Sequence, residues 1–90
     1  GLTTVVDPDG RLLGVFTDGD LRRALDRRLD VHATRMDEVM TPGGKTVDPD
    51  LLAQEAVLLM ERHAITAIPA VDADRRVVGV VTVHALLRAG

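Results

Sequence analysis

The sequence predicts an α/β fold in which a strand–turn–strand–helix unit occurs twice. The first observation is residues 14–23, where β-branched and aromatic residues run directly into a polar, glycine-containing turn and then into a helical pattern. The second is that residues 79–88 repeat this stretch sixty-five positions later. The third is a pair of aspartate-rich turns, 7–10 and 72–75, which separate the two strands of each unit.

The repeat holds residue by residue. When residues 1–25 are laid on residues 66–90, ten pairs of residues are identical. The pairs are Val6/Val71, Asp7/Asp72, Asp9/Asp74, Arg11/Arg76, Gly14/Gly79, Val15/Val80, Thr17/Thr82, Leu21/Leu86, Arg23/Arg88 and Ala24/Ala89. Such self-similarity indicates one structural unit used twice. A further strand and helix over 39–65 precede the second copy, so we interpret the chain as one complete unit and the rear half of another.

Turn residues and helical spacing define the elements of the first half. The turn Asp7–Gly10 contains a proline that presets φ and a glycine that supplies a positive φ. Leu21, Leu25 and Leu29 recur at i, i+4 and i+8, which predicts one apolar helix face. Paired glycines and a proline make 41–44 a loop. The expected elements are strands over 3–6 and 11–16, a helix over 18–28, a linker over 30–34 and a helical turn over 35–40.

The second half is predicted in the same way. Asp48 as N-cap and Pro49 as first helical residue predict a helix that runs to about Arg62. Its main apolar stripe consists of Leu52, Ala56, Leu59 and His63, broadened by Met60. We expect His63, near the helix C-terminus, to interact as a cation with the helix dipole. The other expected elements are strands over 45–47, 67–71 and 76–82 and a final helix over 83–89.

Composition excludes several classes of function. The formal charge of −3 gives no electrostatic reason to bind nucleic acid, and no apolar run is long enough to span a membrane. The chain contains no cysteine, which fits a cytoplasmic protein, and no signal peptide is visible. It opens at Gly1 inside a strand-like run, as a fragment of a longer protein would.

No catalytic or metal-binding pattern is visible. The sequence shows no Ser-His-Asp set and no activated nucleophile. His32, His63 and His84 do not have a metal-binding spacing. We therefore expect these residues to form neither an active site nor a metal site.

Several motifs in order resemble a known family. They are Val39-Met40-Thr41-Pro42, Val47-Asp48-Pro49, Glu55-Ala56 with Leu59-Met60, Pro69-Ala70-Val71-Asp72 and Val78-Gly79-Val80-Val81-Thr82. This pattern is similar to that of CBS (cystathionine-β-synthase) domain pairs, which are regulatory modules. The resemblance implies a CBS-type β-α-β-β-α fold, with 1–29 as the rear half of a first repeat, 30–38 as a linker and 39–90 as a complete second repeat.

A finer resemblance rests on three stretches, 16–23, 39–44 and 84–90. They resemble the C-terminal regulatory segment of bacterial arabinose 5-phosphate isomerases. In that family an upstream sugar-isomerase domain is catalytic, and the pathway makes Kdo for lipopolysaccharide. The resemblance therefore implies a regulatory piece of an isomerase that does not itself catalyse a reaction.

Thr17-x-x-Asp20 resembles the nucleotide-contacting motif of CBS repeats. A strand that ends where a helix begins presents free N–H groups and the positive end of the helix dipole, which suit a phosphate. Thr17 and Asp18 lie at this turn, Gly19 lets a ligand approach the backbone, and Asp20 can accept both hydroxyls of a ribose. A second interpretation stays open, because threonine at the N-cap with an acid three residues later is close to a capping box, which needs no ligand.

Further candidate contacts follow from the resemblance and from charge. They are Arg22, Thr41, Pro42, Thr66, Ala67, Thr82 and His84. Thr66 and Ala67 begin the strand whose backbone lines the cleft in CBS repeats, and 40–44 is either a phosphate-cradling nest or a plain connecting loop. The second copy has Ala85 where the family usually has an acid, so Thr82 is either a ligand contact or only a helix cap. We therefore do not expect a symmetric two-nucleotide site.

The resemblance implies a regulatory ligand and no cofactor. An adenine nucleotide is the general expectation for CBS domains, and the sugar nucleotide CMP-Kdo is the specific expectation for the isomerase-like subfamily. A sugar-acid carboxylate would need Arg22, Arg23, His84 or free N–H groups. His84 can equally be an exposed first-turn histidine. The alternative function is a purely structural dimerisation or spacer module with no ligand.

We expect a homodimer or a higher oligomer. The part of the first repeat that the sequence does not contain should leave Val5, Val15 and Leu21 short of cover, and a small chain then needs a partner to bury them. The other expected partner is the upstream isomerase domain. Nucleic acid and membrane are not expected partners.

Overall fold

The computed structural model describes residues 1–89, and the chain divides into two compact units, Gly1–Gly44 (unit 1) and Lys45–Gly90 (unit 2). The elements in order are β1 Leu2–Val6, β2 Leu12–Thr17, α1 Asp18–Asp26, α2 Met36–Val39, β3 Thr41–Pro42, α3 Ala53–His63, β4 Ala67–Val71, β5 Val77–Thr82 and α4 Val83–Ala89. Each unit contains a β-hairpin followed by a helix, so the predicted α/β class is confirmed. Among the described residues, no helix is long and apolar enough to cross a bilayer.

The hairpin of unit 1 is organised by its aspartate turn. β1 and β2 are antiparallel, with Leu2 opposite Thr17. In the turn, Oδ1 of Asp7 accepts hydrogen bonds from the backbone N–H groups of Asp9 and Arg11, both at 2.9 Å. The predicted turn is therefore present, because one carboxylate satisfies two backbone donors that the chain reversal leaves unpaired.

The hairpin of unit 2 has the same geometry. β4 and β5 are antiparallel, with Ala67 opposite Thr82. Oδ1 of Asp72 accepts from the N–H groups of Asp74 and Arg76, again at 2.9 Å. Every one of these residues is its unit 1 counterpart plus sixty-five, and both hairpins shift register at the equivalent place. The sequence repeat is therefore a structural repeat.

A third strand completes the sheet of unit 1. Thr41 and Pro42 form β3, which pairs with β2 so that Thr41 lies opposite Val15 and Pro42 opposite Gly14. The prediction that 41–44 is only a loop was wrong for its first two residues, because the partner strand is distant in sequence. The two glycines that follow have positive φ angles of 67° and 99° and belong to the predicted loop.

Gly14 makes this strand pairing possible. A Cβ atom at Gly14 would lie 2.5 Å from the carbonyl oxygen of Thr41 and 3.2 Å from Cα of Pro42. Real Cβ atoms do not approach a backbone so closely, so β3 can only lie here beside a glycine. The pairing places 36–44 in unit 1. The repeat boundaries derived from the sequence, which begin the second repeat at residue 39, stay a prediction.

The buried face of α1 is not the predicted leucine face. Asp20 and Ala24 are buried, whereas Leu21 and Leu25 are 42% and 56% exposed. The expectation that Leu21 lacks cover is confirmed. The same expectation was wrong for Val15, which is 8% exposed within the three-stranded sheet.

The start of α3 lies later than predicted. The helix begins at Ala53, with Leu52 as N-cap, and not at Pro49. Oδ1 of Asp48 accepts from the N–H of Asp50 at 2.8 Å, so this carboxylate organises a turn ahead of the helix and does not cap it. Aspartate followed by proline suits both a turn and a helix start, and the local hydrogen bond decides for the turn.

Unit 2 has its own hydrophobic core. Val47, Met60, Ile68 and Ala70 are buried together, and Ile68 and Met60 are the most completely covered. The strand expected over 45–47 is reduced to one parallel bridge between Val47 and Ala70. The buried side chains of α3 and β4 therefore form one core with this bridge.

Candidate functional site

The candidate site lies where β2 ends and α1 begins. Thr17 is the N-cap of α1, and its Oγ1 accepts a hydrogen bond from the backbone N–H of Asp20 at 3.2 Å. In return, Oδ2 of Asp20 accepts from the backbone N–H of Thr17 at 2.8 Å. This reciprocal pair is a complete capping box, so the second interpretation of Thr17-x-x-Asp20 is confirmed as geometry.

The carboxylate of Asp20 also accepts three side-chain hydrogen bonds. Oγ1 of Thr17 donates to Oδ2 at 3.0 Å. Nη2 of Arg23 donates to Oδ1 at 2.5 Å, and Oγ1 of Thr41 donates to the same oxygen at 2.9 Å. Each carboxylate oxygen therefore has two donors, although the residue is only 4% exposed. Thr41 reaches Asp20 because β3 pairs with β2, twenty-one residues later in the chain.

These donors determine the charge of Asp20. Burial by itself would raise the pKa of the Asp20 carboxyl, since it penalises the ionised form. The hydrogen bonds from Thr17, Thr41 and Arg23 outweigh burial and hold this pKa below its usual value. Asp20 is therefore ionised at neutral pH, and it brings a buried negative charge to the site.

A cavity of about 280 Å³ opens beside this carboxylate in unit 1. It is lined by Asp20, Arg23, Ala24, Arg27, Glu38, Val39, Met40, Thr41 and Pro42. Arg23 in α1 and Arg27, the C-cap residue of that helix, supply two guanidinium groups four residues apart, and the α2–β3 segment supplies another wall. The cavity therefore combines a buried hydrogen-bond acceptor with two cations, which suits a ligand that carries both hydroxyl groups and negative charge.

An apolar cavity of about 150 Å³ adjoins the first one. The two cavities share Ala24 and Val39. The remaining lining residues of the second are Phe16, Leu21, Leu29, Val31, Thr34 and Met36. Unit 1 therefore contains a polar cavity and an apolar cavity that meet at Ala24 and Val39.

The predicted contacts in unit 1 fall into two groups. Asp20, Thr41 and Pro42 line the polar cavity. Asp18 and Arg22 are exposed and do not line it. Gly19 was predicted to let a ligand approach the backbone. In the structure the Arg23 guanidinium lies there instead, with its Nη1 3.4 Å from the position that a Cβ on Gly19 would occupy.

Sequence reasoning missed part of the cavity wall. Arg27 and Glu38 line the cavity, and neither was a candidate. The signal for Arg27 was its i+4 spacing from Arg23, which places both guanidinium groups on one side of a helix. Glu38 gave no such signal, because its position depends on how the short helix α2 lies against α1.

The predicted contacts of unit 2 have ordinary structural roles. Thr82 accepts a hydrogen bond from the N–H of Ala85 at 3.0 Å and so caps α4. Ala67 pairs with Thr82 between the strands, and the carbonyl of Thr66 accepts from Val83. His84 is exposed. A ligand contact at these positions stays a prediction, and the absence of an acid at Ala85 leaves the cap of α4 without the reciprocal half of a capping box.

The histidine and metal predictions can also be compared with the structure. Partial burial, helped by the positive charges of Lys45 and Arg62, lowers the pKa of His63. The expected cationic interaction of His63 with the dipole of α3 is therefore weakened, because the neutral form is favoured. Among residues 1–89, no cluster of histidine, cysteine or acidic side chains could hold a metal ion.

Sequence comparisons with known proteins identify the family of the chain. The CBS domain family matches residues 1–27 and 36–90. The chain is 56% identical over all 90 residues to the arabinose 5-phosphate isomerase KdsD of Pseudomonas aeruginosa, and it spans 28% of the length of that relative. The matched part is the C-terminal part of the isomerase.

Solved structures give the same result. The CBS domain pair of protein MJ0100, in complex with 5′-methylthioadenosine and S-adenosyl-L-methionine, has 31% identity and a TM-score of 0.82 over 98% of this chain and 71% of its own. The CBS domain protein PAE2072 of Pyrobaculum aerophilum, complexed with AMP, has 26% identity and a TM-score of 0.80 over 99% of this chain and 72% of its own. Both the resemblance inferred from the sequence and its fold are confirmed, and the chain belongs to the CBS domain family.

Proposed function

We propose that this chain is a regulatory module that binds a nucleotide or sugar nucleotide in the polar cavity of unit 1. The observation that carries the proposal is the ionised, buried carboxylate of Asp20 in a cavity that also contains the guanidinium groups of Arg23 and Arg27. A ribose diol suits the carboxylate, and a phosphate or sugar-acid carboxylate suits the arginines. The adenosine-containing ligands of the MJ0100 and PAE2072 structures support this class of ligand.

The volume of the polar cavity indicates which part of the ligand it can hold. About 280 Å³ is at the lower limit of ordinary ligand pockets, so the polar cavity suits the sugar and its anionic group. The adjoining apolar cavity suits the base. Adenine nucleotides and CMP-Kdo both meet these requirements, and they are the two ligands we propose.

We further propose that the module regulates an arabinose 5-phosphate isomerase of the lipopolysaccharide Kdo pathway in the cytoplasm. Support comes from the 56% identity to KdsD, of which this chain spans 28%. The catalytic sugar-isomerase domain would lie in the remaining part, and this chain would have no catalytic role. Ligand binding in unit 1 would then bias the activity of that domain.

A second candidate function is a structural dimerisation module. The hydrogen bonds of Asp20 favour it, because both carboxylate oxygens already accept from donors of the protein itself and a helix cap needs no ligand. Leu21, Leu25, Val31 and Met36 of unit 1 are also between 42% and 62% exposed, and a second copy of the chain would cover them. A homodimer is compatible with ligand binding only if it leaves the apolar cavity open, because Leu21, Val31 and Met36 also line that cavity. Light scattering that finds only monomer up to high micromolar concentration would exclude it.

The experiment that tests ligand binding is a thermal-shift titration with AMP, ATP, CMP, CTP and CMP-Kdo. A ligand present at 100 times its dissociation constant stabilises the folded state by about 2.7 kcal/mol, which raises Tm by several degrees in a domain of this size. We expect one of these ligands to raise the Tm of the native chain, and Asp20→Ala to abolish the shift. Asp18→Ala is the matched control, since Asp18 is an exposed first-turn carboxylate outside the cavity.

A variant that preserves the helix cap makes the test independent of folding. Arg27 is exposed and lines the cavity without bonding to Asp20, so Arg27→Gln should fold normally and weaken the binding of an anionic ligand. If none of the five ligands shifts the Tm of the native chain, ligand binding is refuted and the structural module remains.

A further inference from the structure

The hydrogen bonds of Asp20 create an obstacle to ligand binding. A carboxylate has about four lone-pair positions, and the protein fills two on each oxygen of Asp20. A ligand hydroxyl can bind this carboxylate only if one protein donor leaves. The question for the site proposed above is therefore which donor leaves, and what makes it leave.

The donors differ in how firmly the fold holds them. The N–H and hydroxyl of Thr17 belong to the capping box, so their loss would open the first turn of α1. Thr41 is fixed by the pairing of β3 with β2. Arg23 is held neither by the capping box nor by strand pairing. Its side chain is 66% exposed and makes an i,i+3 ion pair with Asp20. The Asp20 end of this pair is buried, but the Arg23 end is open to solvent, so Arg23 is the donor that can exchange with the least change to the fold.

The Arg23 side chain also covers the approach to the site. One guanidinium nitrogen bonds Oδ1 of Asp20, and the other lies over Gly19 at the start of the helix. Arg23 lines the polar cavity together with Arg27, one helical turn further on. An anion in the cavity would therefore meet two cations, of which one is engaged with Asp20, and it would also face the carboxylate of Glu38.

We propose that Arg23 is an anion-operated latch on Asp20. An anionic group in the cavity attracts the Arg23 guanidinium, which releases Oδ1, and a hydroxyl of the same ligand takes the vacated acceptor position. The latch rests on the proposed function and adds a rule of specificity to it. A ligand with both a hydroxyl and an anionic group releases the latch, whereas a neutral nucleoside competes with Arg23 for Oδ1, and a simple anion gains no bond to Asp20.

The internal repeat provides a matched control. Arg88 occupies the position of Arg23 in the second unit, on the exposed surface of α4, but the residue three positions before it is Ala85. With no carboxylate at that position, Arg88 has no equivalent latch to form. Arg88→Gln therefore removes the same charge from an equivalent helix position without changing the site.

The latch is tested by calorimetric titration of the native chain, Arg23→Gln and Arg88→Gln with two pairs of probes, AMP with adenosine and CMP with cytidine. We expect the native chain to bind a nucleotide about tenfold or more tightly than its nucleoside, the scale of one charge-assisted hydrogen bond. Arg23→Gln should bind the nucleoside more tightly than the native chain does, because one of the two acceptor positions on Oδ1 is already vacant, and its preference for the nucleotide should shrink to the part that Arg27 provides. Arg88→Gln should behave like the native chain.

Each other outcome has a definite meaning. If Arg23→Gln changes the affinities for nucleotide and nucleoside by the same factor, or changes neither, the latch is refuted and the proposed function stands. If no probe binds to any of the three proteins, the ligand-binding function fails, and the latch fails with it. Arg23→Gln removes a hydrogen bond from the buried Asp20, so its Tm without ligand should lie below that of Arg88→Gln, while the circular dichroism spectra of the two variants should match. A loss of helical signal in Arg23→Gln would instead make Arg23 a structural residue.

Discussion

Gly14 and Gly79 occupy the same place in the two repeats but differ in their surroundings. A Cβ at Gly14 would lie 2.5 Å from the carbonyl oxygen of Thr41 and 3.0 Å from Sδ of Met40. At Gly79, no described atom lies within 4 Å of the corresponding position. The substitutions Gly14→Ala and Gly79→Ala therefore add the same methyl group to equivalent strands, one against a third strand and one into open space.

The structure predicts opposite effects on stability. A methyl group at residue 14 must displace β3, and overpacking of this kind costs about 1–3 kcal/mol of the free energy of unfolding. Displacement of β3 also moves Thr41 away from Asp20, which adds the loss of a hydrogen bond to a charged group. At residue 79 the added methyl group makes no close contact. The alanine lowers the conformational entropy of the unfolded chain, which raises the free energy of unfolding by about 0.4–1 kcal/mol. The two variants should thus differ by at least about 1.5 kcal/mol.

Urea denaturation followed by circular dichroism measures both values, with m compared between variants to confirm that the same surface unfolds. The protein concentration is held constant, because self-association would add to the apparent stability. Equal effects of the two substitutions, or a stable Gly14→Ala variant, would refute the pairing of β3 with β2. They would also remove the structural reason for placing Thr41 beside Asp20.

Three further predictions concern caps and turns. Asp20→Asn should lower the free energy of unfolding at pH 7 by about 1–3 kcal/mol, since buried donors lose a charged acceptor. The pKa of Asp20 is lower in the folded than in the unfolded state, so the ionised carboxylate stabilises the fold above the unfolded pKa of about 3.9, and this stabilisation is lost as the pH falls through the folded pKa. In urea titrations the difference in free energy of unfolding between Asp20→Asn and the native chain should therefore disappear below about pH 4. Thr17→Ala should cost more than Thr82→Ala within the usual 0.5–2 kcal/mol for an N-cap, because only the Thr17 cap is reciprocal, and equal losses of Tm would contradict this. Arg75→Gly should raise Tm, because Arg75 has φ of 66° where its repeat counterpart Gly10 has φ of 86°, and an unchanged or lower Tm would argue against strain at this turn.

The hairpins and their repeat could be predicted from the sequence because their determinants are local. Asp7 and Asp72 each organise a turn within four residues, and the β-branched residues on either side need only that turn to pair. The capping box of Thr17 and Asp20 is equally local, since its two residues are three positions apart. In each case the sequence contains both partners of the decisive hydrogen bond at a fixed short spacing.

The other elements depend on partners that are distant in sequence or on competition between local hydrogen bonds. β3 exists only because Gly14 leaves room for it, and no pattern within 41–44 predicts that contact. Asp48 has the chemistry of both a turn and a helix cap, so spacing alone could not place the start of α3. The leucine stripe of α1 is a correct helical period, but the unit buries the neighbouring face, because the sheet contacts the helix near Asp20.

The same distinction explains what the sequence says about the site. It identifies Asp20 as a cap residue and as a ligand candidate, and both roles use the same oxygens. Only the structure shows that Oδ2 serves the cap while Oδ1 is held by Thr41 and the exposed Arg23. In the latch proposed above, Oδ1 exchanges Arg23 for a ligand hydroxyl while Oδ2 keeps the helix start intact. In the second repeat Ala85 has neither oxygen, so Thr82 caps α4 alone, and the double role proposed for Asp20 has no counterpart there.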